Sequence, residues 1–79
     1  MKARIIVTLK NGVLDPQGKA IEAALASFGI AGVEGVRQGK VFDVEIDAAD
    51  AATAETTLKT ACEKLLANTV VENYAVEIA

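Results

Sequence analysis

Asp43, Glu45 and Asp47 are spaced two residues apart. In an extended chain that spacing puts all three carboxylates on one face. Hard cations such as calcium or magnesium take oxygen donors of this kind. Lys2, Arg4 and Lys10 point outward in the same way near the N-terminus. Opposite charges on neighbouring strands form ordinary cross-strand pairs, so a solvated, charge-paired face accounts for the carboxylates without a metal.

Other chemistry is scarce. The sequence has no histidine, which removes His-based acid–base catalysis and any Ser–His or Cys–His nucleophile pair. Cys62 is the single cysteine. It falls on the apolar stripe of a helical segment, where burial makes a thiol inert. One thiol builds neither a disulfide nor a thiolate metal cage. No glycine spacing matches a phosphate loop, and Gly12 to Gly18 is not followed by the Lys-Ser/Thr pair of a P-loop. Lys10, Arg37 and Lys40 lie near strand ends or turns. They could gather around an anion, but turn chemistry and scattered surface charge are the preferred account.

The segment Lys10-Asn11-Gly12-Val13-Leu14-Asp15-Pro16-Gln17-Gly18 is different. Turn and cap needs explain Asn11, Gly12, Asp15 and Pro16. They do not explain Gly18 in a first helical turn, where it costs up to about 1 kcal/mol against alanine. They also leave Val13 and Leu14 in a connecting loop. A hydrophobic staple against the helix is one account of the pair, and an exposed contact for a partner is the other.

The elements that must position these residues follow from periodicity. Ala3, Ile5, Val7 and Leu9 alternate with Lys2, Arg4, Thr8 and Lys10, with Ile6 breaking the pattern, and Tyr74, Val76 and Ile78 alternate with Asn73, Ala75 and Glu77. Both segments read as half-buried strands. Ala20, Ile21, Ala24, Leu25 and Phe28 share a helical face that starts at the Asp15-Pro16 cap and stops at Gly29. A second helix, capped by Asp47 or Asp50, carries Ala51, Ala54, Leu58, Ala61, Cys62 and Leu65, with Asn68 as a left-handed stop. Between the helices, Phe42, Val44 and Ile46 alternate with acidic residues. Extending that parity backwards would bury Lys40 and Gln38. A hairpin at Gln38-Gly39, a bulge at Gly39, or a strand running past its own core into a partner's would each avoid this.

The order is strand, helix, long or split strand, helix, strand. It implies an α+β fold, a ferredoxin-like βα(β)βαβ two-layer sandwich with two helices on one face of an antiparallel sheet. The 79 residues make one domain, residues 1–79. A domain so short usually needs a disulfide, a metal or a partner. With the first two absent from the residues, self-association is the expected support. A hydrophobic share of 52% with only Phe28, Phe42 and Tyr74 aromatic suits packed layers and oligomer seams. A net charge of −3 argues against nucleic acid. The absence of any apolar run near 20 residues argues against a membrane span. Met1 opens directly into a strand pattern without a signal peptide, so a soluble cytoplasmic protein is expected.

The loop also carries a resemblance. Val7-Thr8-Leu9-Lys10-Asn11-Gly12-Val13-Leu14-Asp15-Pro16-Gln17-Gly18-Lys19-Ala20-Ile21 resembles the N-terminal signature of PurS subunits of phosphoribosylformylglycinamidine (FGAM) synthase. Val36-Arg37-Gln38-Gly39-Lys40 is similar to that family's central Val-Arg-x-Gly-Lys motif. Cys62-Glu63-Lys64-Leu65-Leu66-Ala67-Asn68 and Val70-Val71-Glu72-Asn73-Tyr74 resemble its C-terminal signature, with Thr69 where the family often has proline.

The resemblance implies a small accessory subunit in purine (IMP) biosynthesis, itself without catalytic, cofactor-binding or metal residues. Its holoenzyme converts formylglycinamide ribonucleotide (FGAR), glutamine and ATP to FGAM, glutamate, ADP and phosphate. ATP and magnesium are then used on the large PurL-type synthetase subunit, and a PurQ-type glutaminase releases ammonia. The PurS-type chain joins the two as a dimer or tetramer, with the first helix and second strand exchanged between copies. The expected partner interface is Lys10, Asn11, Gly12, Val13, Leu14, Asp15, Pro16 and Gln17, with Arg37 and Lys40. An ACT-type small-molecule sensor shares the element order and would use a cleft near Gly29–Gly35. An RNA-recognition module also shares it, but lacks here the exposed aromatic pairs it would need.

Overall fold

A computed structural model describes residues 1–79. Strand β1 (Lys2–Leu9) leads through a loop to helix α1 (Pro16–Ser27). Strand β2 (Gly39–Glu45), helix α2 (Ala51–Ala61) and strand β3 (Glu72–Ile78) follow. The sheet is antiparallel with β1 in the centre, in the order β2-β1-β3. This is the α+β, ferredoxin-like arrangement expected from the alternation of strand and helix periods, built on three strands.

Register puts residues of like character side by side. Phe42 and Val76 flank Ile5, and Val44 and Ile78 flank Ala3. Helix α2 lies on that face through Ala54 and Leu58, and Ile5, Val7 and Cys62 are fully buried. On the opposite face Arg4 stands between Asp43 and Glu77. The Arg4 Nε donates to the Asp43 carboxylate at 2.9 Å. With both side chains well exposed, such a pair adds little stability. Of the three strand carboxylates Asp43 is charge-paired, and no three metal-ligating side chains cluster anywhere in the chain.

Asp50, not Asp47, caps α2, accepting from the Thr53 amide at 2.7 Å. The helix ends in a π-turn over Cys62–Leu66, closed by the Ala67 amide donating to the Cys62 carbonyl at 3.0 Å. The wider turn changes which leucine faces inward. Leu66 packs against the core, whereas Leu65, expected on the buried stripe, is 82% exposed. Asn68 is not the left-handed stop its type suggests, since no non-glycine residue has positive φ. Its side chain instead accepts from the Val70 amide at 3.2 Å.

Helix α1 begins and ends where its signals place it, with the Asp15 cap, Pro16 in the first turn and Gly29 beyond the C-terminus in a left-handed conformation (φ 77°). It makes no substantial contact with any strand or with α2. Its apolar face is open, with Phe28 79% exposed. The following segment, residues 30–38, joins no ladder. The radius of gyration is 15.9 Å, against about 12 Å for a compact chain of this length. Helix α1 and residues 30–38 therefore form an arm that projects from the sheet. There is no hairpin at Gln38-Gly39, and β2 pairs with β1 in unbroken register from Gly39, so there is no bulge. Of the three routes open to this segment, a chain continuing past its own core remains. Lys40, on the core-facing side opposite Val7, stays exposed and pairs with Glu72 at 3.6 Å.

Candidate functional site: the loop between β1 and α1

Lys10 follows the central strand, its amide donating to the Val71 carbonyl at 2.9 Å. The chain then turns over Asn11-Gly12, closed by the Val13 amide donating to the Lys10 carbonyl at 3.1 Å. Gly12 has φ 84°, the left-handed value that the third position of such a turn requires. Asn11 and Gly12 form the exposed tip, and Val13 is half-buried.

Leu14 precedes the cap and is 68% exposed. A hydrophobic staple would pair it with the fourth helical residue, but that residue is Lys19, whose ammonium pairs instead with Glu22 at 3.3 Å. The staple is therefore not formed, and Leu14 remains a surface leucine on an anchored loop.

Asp15 is 5% exposed and has two roles. One carboxylate oxygen accepts from the Gly18 amide at 2.9 Å, capping α1. The other accepts from the Gln38 amide at 2.7 Å, tying the helix start to the end of the arm. The Gln38 and Gly18 amides, helped by the nearby Arg37 charge, hold this carboxyl below the usual aspartate value despite its burial. Gly18 has the reason its position lacked in the sequence. The Val36 carbonyl passes directly over it, and a β-carbon there would collide with that oxygen and with Asp15.

Arg37, on the arm, reaches back to the loop. One terminal nitrogen donates to the Val13 carbonyl at 2.9 Å. The other donates to the carbonyls of Leu9 at 3.2 Å and Lys10 at 2.9 Å. Pro16 and Gln17 are exposed on the first turn of α1. The ten expected interface residues thus divide by position. Lys10 through Gln17 form one continuous loop and helix start. Arg37 supports that loop from the arm, and Lys40 is drawn to Glu72. The second bond of Asp15 and the reach of Arg37 back to the loop were not legible beforehand. Gly18 was the one visible signal of a close approach.

Cys62 lies among the core side chains, and burial pushes its thiol pKa up. Tyr74 donates from its hydroxyl to Glu63 at 2.8 Å. Cys62 makes no side-chain hydrogen bond to a base, and the Glu63 carboxylate that holds the Tyr74 hydroxyl bonds no thiol.

The family model for PurS, described as phosphoribosylformylglycinamidine (FGAM) synthase, matches residues 2–79. The PurS subunit of Synechocystis is 51% identical over 75 residues, covering 95% of this chain and 75% of that protein. The crystallised PurS of Bacillus subtilis superposes with a TM-score of 0.86 at 45% identity, covering 96% of this chain and 94% of the other. A chain from the structure of PurLQS of Thermotoga maritima gives a TM-score of 0.89 at 38% identity, with 98% and 95% covered. Lys10–Gly18 lies inside every one of these matches in extent, and on likeness of sequence and fold together the chain belongs to the PurS family of FGAM synthase subunits.

Proposed function

We propose that this chain is the accessory subunit of an FGAM synthase in purine biosynthesis. In this role it joins a PurL-type synthetase and a PurQ-type glutaminase for the ATP- and glutamine-dependent conversion of FGAR to FGAM. The observation that carries the reading is the end-to-end likeness to a chain of the Thermotoga maritima PurLQS structure. The chain's own chemistry supports an assembly role. It has no histidine, and its one thiol is buried. On this reading the chain binds no cofactor, and ATP and magnesium are handled by the large subunit in the cytoplasm. The open face of α1 and the projecting arm support a dimer in which each copy's arm lies on the other's sheet. The Lys10–Gln17 loop, stiff and presenting Leu14, is the surface offered to the synthetase.

The relatives named above are all PurS chains, so nothing favours an ACT-type sensor. The test is glutamine-dependent FGAM formation by the synthetase and glutaminase subunits of the same organism, with and without this chain. Activity that depends on the added chain is the expected result. Full activity without it, and no co-elution with either subunit, would overturn the reading.

A further inference from the structure

We infer that Arg37 is a positioning residue for the docking loop and makes no contact with the partner itself. The inference rests on the reading that Lys10–Gln17 faces the synthetase. Three carbonyls along the loop, those of Leu9, Lys10 and Val13, accept from two nitrogens of one guanidinium. These carbonyls bracket the Asn11-Gly12 tip on both sides. A flexible loop between a strand and a helix has many shapes, and a partner that needs one of them binds in proportion to its population. The planar guanidinium fork spans carbonyls that no single point donor reaches together.

Arg37 comes from the far end of the arm, beside Gln38, whose amide is bound by Asp15. Loop shape and arm direction are therefore fixed by the same two residues. Leu14, between the two anchored ends, takes no part in the network and is the large apolar side chain that the loop leaves exposed for a partner.

The test uses the full chain with purified synthetase and glutaminase subunits. Assembly is followed by sedimentation, and amide exchange is read at Val13, whose N–H closes the turn. Arg37→Ala is expected to weaken assembly about tenfold and to speed Val13 exchange by a similar factor, as a loss of the competent population requires. Arg37→Lys, which keeps the charge and the stem, is expected to restore part of both and serves as the second variant if the alanine chain folds poorly. Leu14→Ala is expected to weaken assembly with Val13 exchange unchanged. If Arg37→Ala weakens assembly while Val13 stays protected, Arg37 touches the partner and the inference is wrong. It is equally wrong if exchange accelerates and assembly is untouched. If neither Arg37→Ala nor Leu14→Ala affects assembly, the docking assignment fails, and the inference with it.

Discussion

Gly18 and Val36 meet backbone to backbone: the carbonyl of Val36 occupies the space where a side chain at position 18 would begin. Helix α1 needs no glycine there for its own sake, and alanine would ordinarily favour the helix by up to about 1 kcal/mol. Here the steric cost outweighs that gain. Gly18→Ala is expected to destabilise the chain by about 1–3 kcal/mol, as overpacking does, and to loosen the arm. Gly35→Ala, with nothing near its added carbon, should change the denaturation midpoint little. Urea titrations of both variants provide the comparison.

Acid should loosen the same junction. The Asp15 carboxyl is held below its usual value of 3.8, first by the Gln38 amide and then by that of Gly18. The folded chain therefore binds this proton less readily than the unfolded one. The stability it confers is complete above the unfolded value and is lost as pH falls through the lowered folded value. Asp50, held down by the Thr53 amide, adds in the same sense. Urea midpoints measured from about pH 6 down to about pH 2 should fall in acid. Asp15→Asn should flatten that fall without abolishing it, because Asp50 remains.

Neighbouring leucines should behave oppositely. Leu66 packs on the core and Leu65 is in solvent. Leu66→Ala is expected to cost about 2 kcal/mol, whereas Leu65→Ser should stay within about 0.5 kcal/mol. An α-helix carried through Cys62 would predict the reverse.

Phe28 is the largest apolar side chain on the open face of α1. Phe28→Asp is expected to break self-association, with the sedimentation coefficient falling to that of a single chain. An unchanged coefficient would place the interface elsewhere.

Much of this was legible in the residues. The strands announced themselves by alternation, and α1 by Asp15, Pro16 and Gly29, because those signals act within a few residues. Leu65 misled because the spacing Leu58, Cys62, Leu65 fits an α-helix, and one extra residue per turn leaves no trace in spacing. The Asp15–Gln38 bond joins residues 23 apart, through an arm whose path no local preference sets. The open face of α1 has a related cause: periodicity identifies an apolar stripe but not whose sheet it lies on.

The place of β1 has a consequence for the order of folding. The first strand in the sequence is the central one, and both its neighbours come later, with Lys2 opposite Glu45 and Ala3 opposite Ile78. No shorter stretch than Lys2–Ile78 contains the whole sheet. Pairings so distant along the chain must pay loop-closure entropy before any ladder bond repays it, which makes folding slow. Until β3 arrives, the apolar central strand keeps one edge bare. For that interval it is open to any strand nearby, including the β3 of another copy.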